Sequence, residues 1–99
     1  MNIELLKTAT GAILYLNGRL ESTSAPEAQE ALMSLLDEYQ NITLDFSGLL
    51  YISSAGLRVL LTLQKKSNAN GYTIKLDNVK HEIMEIFEMT GFSGILTFA

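Results

Sequence analysis

Apolar residues recur along this chain in two rhythms, one alternating and one helical, and the switches between them outline its elements. Ile3 and Leu5 alternate through IELLKTAT, with Thr8 at its far end, and predict a first strand; AILYL, from Ala12 to Leu16, predicts a second. The Thr10-Gly11 turn between them is short enough for an antiparallel hairpin. Asn17-Gly18 carries turn chemistry and is expected to end the second strand. Arg19-Leu20-Glu21 then leads into Ser22-Thr23-Ser24, a loop rich in capping residues. A helix is predicted from Ala25-Pro26, with Ser24 as N-cap, Pro26 in the first turn and Glu27 favourable to the helix dipole. Ala28, Ala31, Leu32, Leu35, Leu36 and Tyr39 form its apolar stripe, and Gln29, Glu30, Asp37 and Glu38 the opposite face.

Alternation returns at Ile42, Leu44 and Phe46, a third strand ending at Asp45 or Phe46, followed by a turn at Ser47-Gly48. Leu49-Leu50-Tyr51-Ile52 reads as an apolar loop tucked under the surface. A second helix is expected from about Ser54 to Ser67, its first turns carrying Ala55, Gly56, Leu57, Val59, Leu60 and Leu61. A serine ahead of such a run is a preferred N-cap, because its oxygen accepts a bond from an orphan amide. Asn68–Gly71 stops this helix, with Gly71 or Asn70 in the left-handed position and Lys65 and Lys66 complementing the dipole. Tyr72–Leu76 alternates again as a fourth strand. A third helix spans about Lys80 to Met89, with Ile83, Met84, Ile86 and Phe87 facing inward and Met89 assigned to the core as well; Gly91 ends it, and Ile95–Phe98 is a short last strand. After the hairpin, strands and helices alternate, which calls for parallel pairing through crossovers. The predicted fold is α/β: a mixed, mostly parallel sheet of about five strands, with helices packed mainly on one face.

Composition narrows the function classes. Ninety-nine residues suit one domain, residues 1–99, with one core. With 47% hydrophobic and 18% charged residues the chain is globular rather than disordered. No apolar run approaches the roughly 18 residues that a membrane span needs, and the start of the chain lacks the basic and apolar regions of a signal peptide. The absence of cysteine excludes disulfides, zinc–thiolate sites and a cysteine nucleophile, and suits the cytoplasm. The formal net charge is −4, and Lys65-Lys66 is the one basic pair, so nucleic acid is an unsuitable partner. His81 is the only histidine, so no metal site is expected. Neither a Gly-x-Ser-x-Gly elbow nor a phosphate-binding loop is present, which argues against an enzyme. No cofactor is implied.

The candidate chemistry concentrates between Leu44 and Leu61. There Ser53 and Ser54 place hydroxyls at the positive end of an apolar helix, a setting that tolerates an added anion. Gly56, costly near a helix start, signals close approach of either a neighbouring strand or a docked partner. Arg58 lies one turn beyond Ser54 on nearly the same face; it is either a solvated arginine or a partner for a phosphate or an acid. Asp45, at a strand end, reads as a cap for the Ser47-Gly48 turn.

Leu-Asp-Phe-Ser-Gly followed by Tyr-Ile-Ser-Ser-Ala-Gly-Leu-Arg-Val-Leu resembles the signature of STAS domains, the family of anti-sigma factor antagonists and of domains in sulphate transporters. Leu16–Glu21 and Phe87–Phe92 resemble two flanking segments of the family, so the likeness covers most of the chain. In the antagonists the serine after an Asp is phosphorylated by a partner kinase. By this resemblance Ser54 takes the phosphorylated position, Gly56 and Leu57 match directly, and Ser53 stands where the family usually has Asp; Ser53 is the second candidate acceptor. Glu21 matches an Asp near the family's partner surface. The resemblance implies a binding protein that engages an anti-sigma factor with serine kinase activity, is released by phosphorylation, and is restored by a serine phosphatase. The implied contact surface is Ser53, Ser54, Gly56, Leu57 and Arg58, with the loop Glu21, Ser22, Thr23 and Ser24 beside it. Two other roles fit the same domain: an unphosphorylated docking subunit of a transport complex, and an adaptor in another signalling pathway.

Overall fold

Leu14 and Leu16, both fully buried, mark the sheet face on which the helices lie. The computed structural model describes all residues, 1–99. Its strands are β1 (Asn2–Lys7), β2 (Ala12–Leu20), β3 (Asn41–Asp45), β4 (Leu49–Ile52) and β5 (Thr73–Asp77); its helices are α1 (Ala25–Tyr39), α2 (Ser54–Asn70) and α3 (His81–Thr90). The order β1-β2-β3-β5 forms the main path, and β4 pairs with β2. The β1–β2 hairpin is antiparallel, and every other pairing is parallel.

Register explains the one-sided core. Ala12 and Leu14 stand beside Ile42 and Leu44 on β3, which stand beside Ile74 and Leu76 on β5; all of these, and Leu16 further along β2, are buried. The alternate positions, Ile13, Tyr15, Thr43, Thr73 and Lys75, are half-buried or exposed. Ala28, Leu32 and Leu36 of α1, Leu57, Leu60 and Leu63 of α2, and Ile83 and Phe87 of α3 complete the apolar cluster. Each fully buried aliphatic side chain contributes about 1.5–3 kcal/mol.

The α/β architecture, the five-stranded mixed sheet and the N-terminal hairpin agree with the reading of the sequence. Several details differ. Asn17-Gly18 does not end the second strand, because Gly18 takes φ +107° within it and β2 continues to Leu20. Leu49–Ile52 is a strand, paired to Gly18–Leu20 of β2, and not a tucked loop. Ile95–Phe98 forms no strand. A 3-10 turn at Phe92–Gly94 uses up the chain, leaving one bridge, Leu76 to Phe98. Helix α2 runs to Asn70, which leaves Lys65 and Lys66 short of its last turn; Lys66 instead bridges to Asp37 and the Met33 carbonyl of α1. Ser24 does not cap α1 through its side chain. Its hydroxyl accepts from the Glu21 amide and donates to the Arg19 carbonyl, folding the loop onto the end of β2. Ala31 is exposed, and so is Met89, which lies about 200° around the helix from Phe87.

Candidate functional site

Three segments meet at the C-terminal end of β2. The Ser53 amide donates to the Leu20 carbonyl at 3.0 Å, so the Arg19–Ser24 stretch and the start of α2 are fastened together. Gly18, Arg19 and Leu20 pair with Leu49, Tyr51 and Ile52, and the register shifts between Gly18 and Arg19. Leu50 is therefore the unpaired extra residue of a β-bulge. Such an insertion bends a strand and re-aims its side chains.

Ser53, not Ser54, is the N-cap of α2. Its backbone is extended, with φ −100° and ψ 178°, and its Oγ accepts from the Gly56 amide at a long 3.5 Å. Its carbonyl accepts from the Leu57 amide at 2.9 Å. Capping a helix start is a task that serine and aspartate share. Ser54 is the first helical residue and is exposed. Orphan amides and the positive end of the dipole surround that position.

Gly56 and Leu57 face inward, whereas Arg58 is exposed. A Cβ on Gly56 would stand 2.6 Å from the Leu20 carbonyl oxygen and 2.7 Å from Ile52 Cγ1. The close approach that the glycine signals is made by β2 and β4 of the same chain. Leu57 is only 8% exposed and packs in the core, so the outward residues of this helix start are Ser54 and Arg58. Across the junction, Ser22 and Thr23 are exposed, while Glu21 and Ser24 are half-buried. Arg19 pairs with Glu21 at 3.2 Å, and its guanidinium carbon lies 4.5 Å from the centre of the Tyr51 ring.

The loop into β4 is set by Asp45, which is buried with three hydrogen bonds. It accepts from the Ser47 amide at 2.9 Å, the Ser47 hydroxyl at 2.6 Å and Asn78 Nδ2 at 2.8 Å. Burial alone would raise its pKa, but the bonds from Ser47 and Asn78 outweigh it and hold the carboxyl below its ordinary value. The turn-capping role read from the sequence is present; the tie to Asn78, at the end of β5, had no sequence signal. Because the folded pKa is depressed, this stabilisation is complete above the unfolded value of about 4 and is lost as pH falls through the lower folded value. Asp45→Asn is expected to cost about 1–2 kcal/mol at pH 7 and to flatten the fall in stability as pH drops below about 4. Urea unfolding of both proteins at several pH values measures this.

His81 is exposed and lies 2.8 Å from Glu85, its helical neighbour. No group of three or more His, Cys, Asp or Glu side chains converges in the structure, and no helix is long and apolar enough to cross a membrane. The bulge at Leu50 and the contact of Arg19 with Tyr51 had no sequence signal, since an apolar tetrad of ordinary spacing gives no sign of a bulge and the contact joins residues far apart in the chain.

Residues 2–99 match the model of the STAS domain. Among curated proteins the chain is similar to BtrV of Bordetella bronchiseptica, named for anti-sigma factor antagonism, at 34% identity over 88 residues, covering 88% of this chain and 76% of that one. Among solved structures it superposes on a Thermotoga maritima protein of the same class with a TM-score of 0.90 at 19% identity, covering 97% and 84% of the two chains. SpoIIAA, an anti-sigma factor antagonist of Bacillus, has been solved unphosphorylated and phosphorylated. The TM-scores are 0.80 and 0.74 at 16% and 17% identity, covering 99% of this chain and 88% and 91% of those.

Proposed function

This chain belongs to the STAS domain family, and from that membership we propose that it is an anti-sigma factor antagonist, switched by phosphorylation of Ser54. It acts by binding rather than by turnover. In the cytoplasm the unmodified protein holds an anti-sigma factor with serine kinase activity and so frees a sigma factor for transcription. Phosphate on Ser54 ends that hold, and a serine phosphatase restores it. The contact surface is the outward pair Ser54 and Arg58, the half-buried Ser53 beside them and the loop Glu21–Ser24; Gly56 and Leu57 support it from beneath.

The observation that carries this reading is the exposed Ser54 at the first position of α2. A kinase can reach that hydroxyl. A phosphate there brings about −1.5 to −2 charges, and the amides and dipole of the helix start offset part of them. The fold therefore tolerates the group while the partner meets new charge and bulk. Ser54→Asp is expected to weaken binding to the purified anti-sigma factor kinase of the source organism by at least tenfold, with a melting temperature close to wild type. Ser54→Ala is expected to bind and to remain unphosphorylated. Equal affinity of the Asp variant and wild type, by titration calorimetry, refutes the switch.

Ser53 at the family's Asp position favours a second reading, in which the domain docks into a transport complex and Ser54 is never modified. Mass spectrometry of the protein from growing and stressed cells separates the two: phosphate on Ser54 supports the switch, and its absence in both states supports the docking subunit.

A further inference from the structure

Leu50 is 69% exposed and Tyr51 40% exposed. They are consecutive in β4, where a regular strand would turn one of them inward. The bulge opposite Gly18–Arg19 sends both outward. Leu50 has no cross-strand partner. Tyr51 is held from one side by the Arg19 guanidinium, which Glu21 in turn fixes by its ion pair. Aromatic and arginine side chains held in place before contact are the residue types that dominate the energy of protein interfaces.

The position gives these residues an occupant. Glu21 lies two residues beyond Arg19, and Ser54 three beyond Tyr51, with the Ser53–Leu20 hydrogen bond joining the two stretches. The patch is thus continuous with the surface assigned above to the anti-sigma factor. We propose that Leu50 and Tyr51, with Arg19 stacked on the ring, are the apolar anchor of that interface and insert into an apolar socket on the anti-sigma factor. This rests on the proposed function and adds to it a division of labour: the Ser54 strip decides whether the partner is held, and the Leu50–Tyr51 anchor supplies grip and selects which anti-sigma factor is held.

Leu50→Ser and Tyr51→Ser, tested separately, decide the matter against the same purified kinase, beside wild type and Ser54→Asp. Each is expected to weaken binding at least tenfold, to raise the apparent KM for phosphorylation of Ser54 by a similar factor, and to leave kcat and the melting temperature near wild type. Affinities within twofold of wild type for both variants overturn the anchor, whatever Ser54→Asp does. If Ser54→Asp alone keeps wild-type affinity, the switch falls, while loss of binding in the Leu50 and Tyr51 variants still upholds the anchor.

Discussion

Phe87→Ala is expected to remove about 3–5 kcal/mol of stability, a large share of the roughly 5–15 kcal/mol that holds a domain of this size together. Phe87 is fully buried. Its ring meets Phe46 edge-on at 6.2 Å and Phe98 at 6.0 Å. It therefore joins α3 to the end of β3 on one side and to the C-terminal segment on the other. That segment is otherwise held by the buried Leu96 side chain and by two bonds to β5: the Leu76 amide donates to the Thr97 carbonyl, and the Ala99 amide to the Leu76 carbonyl. Removing the ring leaves a cavity that the short helix and the bridge are poorly placed to fill. The check is the urea midpoint, which is expected to fall with an unchanged slope. Resistance of the C-terminal segment to proteolysis is expected to fall further than that of α1.

Gly56→Val is expected to destabilise by about 3 kcal/mol, near the upper end of what overpacking usually costs. The nearest atom to the new Cβ is a backbone oxygen, that of Leu20, at 2.6 Å. Leu20 also accepts the Ser53 amide, so it cannot retreat without breaking the tie between β2 and the helix start. Two further methyls would press on Leu20 and Ile52, both buried. Gly56→Ala is expected to cost less, because alanine recovers up to about 1 kcal/mol of helix propensity. Thermal unfolding of both variants gives the magnitudes. In the proposed interface, binding to the anti-sigma factor is expected to fall in step with displacement of the Ser53–Ser54 turn, because Gly56 is buried beneath it.

Much of this could be read from residue order. The alternation of Ala12, Leu14 and Leu16 and the stripe Ala28, Leu32 and Leu36 placed the central strand and the first helix, because burial on one face enforces each period. Serine before an apolar run located the start of α2 to within one residue. The errors have physical causes. Gly18 looked like a stop because Asn-Gly usually marks a turn; here Gly18 takes a positive φ inside the strand, opposite the bulge at Leu50, and strand pairing continues past it. The edge strand Leu49–Ile52 hid its nature because the bulge erases the alternation by which a strand is recognised. Ser24 has the composition of a cap but spends its hydroxyl on the loop before the helix. The Asp45–Asn78 bond joins residues far apart in the chain, and nothing in the local sequence announces it.

The tight seat of Gly56 against Leu20 and Ile52 also bears on time. A helix start wedged against two strands has little room to shift, so under the proposed switch a phosphate on Ser54 meets a seat that is already fixed. In that proposal the lifetime of each state is set by the enzymes that add and remove the phosphate, and the protein holds its state as a chemical record rather than as a shape.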